Sequence, residues 1–98
     1  MNERRSDRRV ALVLDASWHG LSGSSPCRVT DISRGGCFVQ TLSAPSIDDD
    51  ASIRLTVGDA SVGVRGRVRY IEPRIGFAVK FDGLSDEQAR AIRAVVGD

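Results

Sequence analysis

The chain has 98 residues, with 14 Lys and Arg against 13 Asp and Glu, a formal net charge of +1 and a hydrophobic fraction of 41%. A chain of this length builds one hydrophobic core, which excludes an enzyme with a cleft between two large domains. It has no uncharged apolar stretch of about 18 residues, which excludes a membrane-spanning helix, and its N-terminus does not resemble a secretory signal. We therefore expect a soluble, cytoplasmic protein without membrane insertion.

The basic residues are nearly all arginine, and several are grouped at the N-terminus. Of the 14 basic residues 13 are Arg, and Lys80 is the exception. Arginine favours planar, bidentate recognition of anions. Four arginines lie within the first nine residues: Arg4, Arg5, Arg8 and Arg9. Residues 1–9 are therefore predicted to form a flexible basic arm that binds an anionic ligand, with a solvated tail as the alternative.

From Val10 onward, apolar residues alternate with polar ones, which is typical of strands with one buried face. The predicted strands contain, in chain order, Val10, Leu12, Leu14 and Ala16; residues 27–32; residues 37–42; Ile53, Leu55 and Val57; Val62, Val64, Val68 and Tyr70; and Ile75, Phe77, Val79 and Phe81. Loops are predicted over 19–26 and 43–50. Gly66, at an inward position, predicts a bend or bulge. Six short strands indicate an all-β barrel or sandwich.

The C-terminal residues change to a helical period. Ser85 is a predicted N-cap, and Gln88 three residues later completes a capping box. Ala89, Ile92 and Val96 follow at helical spacing. The sequence therefore predicts a short amphipathic helix over about 85–96, closing one end of a single domain that spans residues 10–98.

Residues that could carry catalysis are sparse. The single histidine, His19, has no acidic neighbour to orient it as a base. Cys27 and Cys37 lack the spacing of a zinc site, and the acidic residues 48–50 are too close together to converge on one cation. No glycine-rich loop joins a strand to a helix in the manner of a nucleotide cofactor site. The sequence therefore predicts no enzyme, no metal site and no cofactor.

A polar corner between the second and third strands is a better candidate for binding. Asp31 and Ser33 are two residues apart, so in an extended chain both side chains lie on one face. A carboxylate there can accept hydrogen bonds from guanine, and Gly36 leaves room for a flat ligand. Arginine can bind phosphate or the O6 and N7 atoms of guanine. The alternatives are turn chemistry for Asp31 and Ser33, and local backbone demand for Gly36.

An Arg-x-x-x-Arg pair followed by Asp31-Ile-Ser-Arg-Gly-Gly36 resembles the PilZ domain family. The resemblance runs over the whole chain and includes Gly66-x-Val68, residues 76–81 and the closing helix. It implies a six-stranded antiparallel β-barrel, the PilZ-like split barrel, with a short C-terminal α-helix. It also implies a non-catalytic receptor that binds the bacterial second messenger cyclic di-GMP and relays the signal to a protein partner by ordering its N-terminal arm.

The resemblance assigns ligand-binding roles to Arg5, Arg9, Asp31, Ser33 and Gly36. Arg5 and Arg9 are preferred because, in similar domains, the second arginine directly precedes the apolar first strand, as Arg9 precedes Val10 here. Arg4 and Arg8 have the same spacing one residue earlier and are secondary candidates. In related proteins an arginine in the place of Arg4 favours an intercalated dimer of the ligand, so the stoichiometry remains open between one and two.

Two other functions remain as alternatives. The first is a PilZ-fold protein-interaction module that does not bind nucleotide. The second is a nucleic-acid-binding barrel that uses Arg65, Arg67 and Arg69, but a net charge of +1 and only five aromatic residues argue against it. We expect those arginines to form a solvated outer strand face, and Trp18 and Tyr70 to pack in the core or at its rim.

Overall fold

The structure is a computed structural model that describes residues 10–20, 23–42 and 45–96. Its elements are β1 (Val10–Gly20), β2 (Gly23–Ile32), β3 (Gly36–Gln40), β4 (Asp50–Val57), β5 (Ala60–Glu72), β6 (Gly76–Phe81) and α1 (Asp86–Val96). All neighbouring strands pair antiparallel, in the closed order β1-β2-β3-β6-β5-β4. The predicted all-β class, the six-stranded antiparallel barrel and the C-terminal helix are confirmed.

The barrel interior is filled by the apolar residues that alternate along the strands. Phe77 of β6 is fully buried and meets the indole of Trp18 edge-on, with ring centroids 5.4 Å apart and an interplanar angle of 81°. Around this pair lie the other large, fully buried side chains: Val29, Ile32, Val39, Ile53, Leu55, Val64, Val68 and Ile92. Trp18 is 3% exposed, which agrees with the core packing expected for it.

Helix α1 begins with the predicted capping box. The Ser85 amide donates to Gln88 Oε1 at 2.8 Å, and the Gln88 amide donates to Ser85 Oγ at 3.1 Å. Gln88 Nε2 also donates to the carbonyl oxygen of Gly63 in β5 at 2.7 Å, which ties the first turn to the barrel. Ile92 then inserts into the core, so α1 is held both at its N-cap and by its apolar face.

The prediction of a loop over residues 19–26 is wrong. β1 continues to Gly20 and β2 begins at Gly23, and these two residues are paired in the ladder. Only two residues separate the strands, although the segment is rich in glycine and serine. Pro26 is tolerated within β2 because this part of the strand pairs with β1 and lies beyond the last β3 pair, Arg28 with Gln40.

Tyr70 does not face inward as the alternation of β5 predicts. Val68 pairs with Val79, but the next pair is Tyr70 with Ala78, so Arg69 is an extra residue in β5. A bulge of this kind moves all following side chains to the opposite face. Tyr70 is consequently 52% exposed. The irregularity therefore lies at Arg69, whereas the ladder is regular at Gly66, where the sequence places the bend.

Ile75, predicted as the first inward residue of the last strand, is 49% exposed and precedes β6. Arg74 has a φ of 68°, and the Ile75 amide donates to the carbonyl oxygen of Glu72 at 2.9 Å. The chain is therefore still turning at Ile75, and the alternation of β6 starts only at Gly76.

Replacing Gly66 by alanine is expected to destabilise the barrel by about 2 kcal/mol, the usual cost of overpacking a filled interior. Gly66 is buried, and a Cβ there would overlap the Lys80 carbonyl oxygen and lie 2.6 Å from Val79 Cγ1. Denaturant unfolding measures the loss. Gly63→Ala is the matched control, because a Cβ at Gly63 meets only the mobile end of Arg54 at 3.3 Å. Equal losses in the two variants would contradict this explanation.

Candidate functional site

A row of register partners crosses the outer face of four strands. Asp31 in β2 pairs with Phe38 in β3, Phe38 with Ala78 in β6, and Ala78 with Tyr70 in β5. These residues line an open cleft with a volume of about 310 Å³, together with Ser33, Gly36, Arg69 and Lys80. The volume is at the lower end of the range for small-molecule sites, roughly 300–1,000 Å³.

Two bulges bring this row to the outer face. In β2 the register shifts between Val29 and Asp31, as it does in β5 around Arg69. With regular alternation Asp31 would share the inward face of Val29. Instead Ile32 is fully buried and Asp31 is half-buried in the cleft wall. The same kind of irregularity therefore positions both ends of the row, as bulges next to functional sites often do.

Ser33 belongs to the cleft but is held by turn hydrogen bonds. Its side chain is buried, and its Oγ accepts a hydrogen bond from the Gly35 amide at 3.1 Å. Its own amide donates to the Gly36 carbonyl oxygen at 2.9 Å. Ser33 therefore forms the turn hydrogen bonds expected of it. Its hydroxyl oxygen only accepts in this turn, so the hydroxyl group can still donate a hydrogen bond to a ligand.

Gly36 is required by the barrel itself. A Cβ at this position would overlap the carbonyl oxygen of Val79 in β6. The Gly35 carbonyl oxygen accepts a hydrogen bond from the Phe81 amide at 2.9 Å, so the corner lies against β6. The close approach of β3 and β6 is enough to require a glycine at position 36, whether or not a ligand binds there. This is the local backbone demand that the sequence analysis gives as the alternative for Gly36.

The four arginines assigned from the sequence, Arg4, Arg5, Arg8 and Arg9, lie outside the described residues. The structure describes the chain from Val10 onward. Val10 pairs with Ile32, and the following residue of β1 pairs with Asp31. The first residue described after these arginines therefore lies directly beside the corner that carries Asp31 and Ser33.

Two cations that the sequence analysis did not assign to the site, Arg69 of β5 and Lys80 of β6, also line the cleft. Lys80 is the register partner of Gly36 in β3. Lys80 pairs with Arg67, so two like charges lie directly opposite each other on the outer face. Arg67 Nε lies 3.7 Å from Asp50 Oδ1, in an exposed ion pair. Within the described ranges, no ion pair or hydrogen bond occupies the side chains of Lys80 and Arg69. This part of the cleft is therefore suited to an anion.

Strict alternation through β5 places Tyr70 inward, which is why the sequence analysis does not assign it to a site. Arg69 and Lys80 are expected on the outer face and lie there, but no motif links them to the corner. One signal in the sequence pointed to the bulge: Tyr70 and Ile71 are consecutive large apolar residues after Val68. In a strand with one buried face, only one of two such neighbours can face inward. An interruption of the alternation close to Arg69 turns Ile71 inward instead of Tyr70, and Ile71 packs against the core.

Features suited to catalysis are weak in the described part of the chain. His19 Nε2 lies 3.3 Å from Ser17 Oγ in an exposed contact. Burial raises the pKa of the Cys27 thiol to about 11, and burial together with the nearby Cys27 raises the pKa of Cys37 to about 12. Both thiols are therefore protonated at neutral pH and are poor nucleophiles.

Metal ligands and apolar helices are the remaining features of the described residues that bear on function. Among those described, no group of three or more His, Cys, Asp or Glu side chains is arranged to hold a metal ion. No helix described has the length and apolar character needed to cross a bilayer.

Comparison with known proteins agrees with this architecture. A family model described as PilZ domain matches residues 3–98. The Bacillus subtilis inhibitor of motility MotI/DgrA has a TM-score of 0.80 at 14% identity, covering 97% of this chain and 50% of that one. The PilZ domain of Escherichia coli YcgR with c-di-GMP has a TM-score of 0.79 at 14% identity, covering 97% and 90%.

A third structure, the K. pneumonia MrkH–c-di-GMP complex, has a TM-score of 0.73 at 21% identity and covers 99% of this chain and 52% of that one. The chain thus spans about half the length of MotI/DgrA and of MrkH. Among curated proteins none matches the sequence. At these identities the structural likeness shows the fold.

Proposed function

The chain belongs to the PilZ domain family, and from this premise we propose that it is a non-catalytic, cytoplasmic receptor for cyclic di-GMP. The observation that carries the proposal is the position of Asp31 and Ser33 on one wall of an open cleft, beside the point where the arginine-rich segment joins β1. The structures of YcgR and MrkH with c-di-GMP support the choice of ligand.

In the proposed complex, Asp31 accepts hydrogen bonds from the N1 and N2 groups of one guanine. The Ser33 hydroxyl group donates a hydrogen bond to the same ligand, and Gly36 keeps the corner close to β6. Arg5 and Arg9 bind phosphate and the acceptor edge of guanine as bidentate donors. The charge of the ligand is thereby balanced by arginine, while the carboxylate selects guanine over adenine, which has no N1 or N2 donor.

Binding is proposed to order the basic segment against the barrel. Ordering residues 1–9 costs conformational entropy, which the charge-assisted hydrogen bonds must exceed. The closed segment changes the surface around the cleft, and a downstream protein partner recognises that changed surface. No catalytic step, metal or cofactor is part of this mechanism.

Titration calorimetry with cyclic di-GMP tests the proposal, with GTP and cyclic di-AMP as specificity controls. We expect Arg9→Ala to lower the affinity about tenfold, because one charge-assisted contact is lost while Arg8 remains next to it. Arg93→Ala, an exposed substitution on α1, is the control for net charge.

Unchanged affinity in Arg9→Ala together with a loss in Arg8→Ala would instead establish the register of Arg4 and Arg8. No binding by the unmodified chain would overturn the receptor proposal. The PilZ-fold protein-interaction module would then be the remaining function.

A further inference from the structure

We propose that Tyr70 and Lys80 form a second recognition point for the same ligand, in which the Tyr70 ring stacks on the base that Asp31 does not bind. Lys80, with Arg69 beside it, binds one of the two phosphates that join the two nucleosides. This inference rests on the proposed function. It adds residues from β5 and β6, none of which belongs to the arginine pair or to the segment Asp31–Gly36.

The length of the row separates the two recognition points. Asp31 and Tyr70 lie three strand intervals apart, which at roughly 4.8 Å each is about 14 Å along the curved surface. This is the separation of the backbones, and the Tyr70 ring leans toward Phe38, the register partner of Asp31. A ligand with two bases joined by phosphates covers such a row, so one base is bound at Asp31 while the other lies against Tyr70.

The Tyr70 ring is accessible and supported at the same time. It is 52% exposed, and its centroid lies 6.4 Å from that of Phe38 with an interplanar angle of 38°. Phe38 is half-buried, and its ring would contact a Cβ at Gly76, so it lies close over β6. Phe38 thus restricts Tyr70 from one side, while the exposed part of the phenol is available to a base.

The charges of this part of the cleft favour a phosphate at the same place. Lys80 lies directly opposite Arg67, and like charges in that arrangement repel. The carboxylate of Asp50 contacts Arg67, but in the described part of the chain neither Lys80 nor Arg69 has an ion-pair partner. An anion next to Lys80 relieves this repulsion, and Lys80, Arg69 and Tyr70 all line the one cleft.

Calorimetric titration of Tyr70→Leu with cyclic di-GMP tests the stacking role. Loss of one base–aromatic stack is expected to weaken binding roughly tenfold, whereas Tyr70→Phe keeps the ring and stays within about twofold. Ile75→Ala is the matched control, since Ile75 is 49% exposed but does not line the cleft. Lys80→Gln is expected to lose about fivefold and to reduce the salt dependence of binding, whereas Arg65→Gln, outside the cleft, does neither.

A second readout uses the fact that the chain has one tyrosine. In protein labelled at tyrosine, the ring resonances belong to Tyr70 alone, and stacking on a purine is expected to shift them upfield during the titration. If the unmodified chain binds but Tyr70→Leu binds equally well and the ring resonances do not move, the inference is wrong and the receptor function stands. If the unmodified chain does not bind, both are wrong.

Discussion

Replacing Asp31 by alanine is expected to lower the affinity for cyclic di-GMP about a hundredfold or more. The carboxylate is proposed to accept two hydrogen bonds from one guanine, and hydrogen bonds to a charged group contribute about 1.5–3 kcal/mol each. Asp31 is half-buried and forms no ion pair with the residues described, so its removal leaves no buried partner unsatisfied. Calorimetry should therefore show lost binding, while thermal unfolding shows an intact barrel.

Two further variants make this result specific. Asp31→Asn keeps the shape of the side chain but replaces one acceptor by a donor, so it should also bind weakly. Asp82→Ala removes an exposed carboxylate that does not line the cleft and should bind as the unmodified chain does. If Asp31→Ala bound cyclic di-GMP with full affinity, Asp31 and its corner would not be part of the binding site.

The largest effect on stability is expected for Phe77→Ala, about 4 kcal/mol, because a fully buried aromatic side chain is replaced by a cavity. Phe77 has no exposed surface and supplies the edge-to-face contact with Trp18. Domains of this size have a total stability of only about 5–15 kcal/mol, so the loss is a large part of the whole. Denaturant unfolding followed by the emission of the single tryptophan measures it.

Tyr70→Leu is the control for Phe77→Ala, because Tyr70 is also a β-strand aromatic but lies on the outer face. Its loss of stability is expected to stay below about 1 kcal/mol. Equal destabilisation by the two substitutions would mean that the core is not organised around Phe77.

The barrel could be predicted because the residues that fill its interior alternate regularly with polar residues along the sequence. Ile53 and Leu55 in β4, and Phe77 and Val79 in β6, alternate with outward residues and are buried as expected. The capping box at Ser85 could be predicted because its hydrogen bonds join residues only three apart. Local chemistry and strict periodicity thus account for the confirmed elements.

The bulges could not be predicted in the same way, because a bulge depends on pairing between strands distant in sequence. Neither Thr30 nor Arg69 is a glycine or proline that would mark an irregular backbone. The extension of β1 and β2 through the predicted loop has a similar cause, since it depends on the pairing of Gly20 with Gly23 across the two strands. Gly23 has a φ of 129°, which glycine adopts readily.

The residues of the candidate site differ in the same way: some belong to a local motif, and others are brought together only by strand pairing. Asp31 and Ser33 were found because their motif is contiguous, and the cleft contains both. Tyr70 could not be placed there because it enters the cleft only through the β5 bulge, and Lys80 because its position beside Gly36 depends on the pairing of β3 with β6. Gly36 was also named from its motif, and its close contact with Val79 is a structural requirement that the sequence alone does not show.

The part of β2 that runs past β3 has a consequence for self-association. Between Gly23 and Cys27 this strand pairs only with β1 among the described strands, so its other side resembles the edge of an open sheet. Such edges can template the addition of a strand from another molecule. Pro26 lies in this stretch and has no amide hydrogen to offer, so it interrupts any ladder that a second chain could build there. Pro26, which the sequence places in a loop and the structure in β2, thereby disfavours the addition of a second chain at this edge.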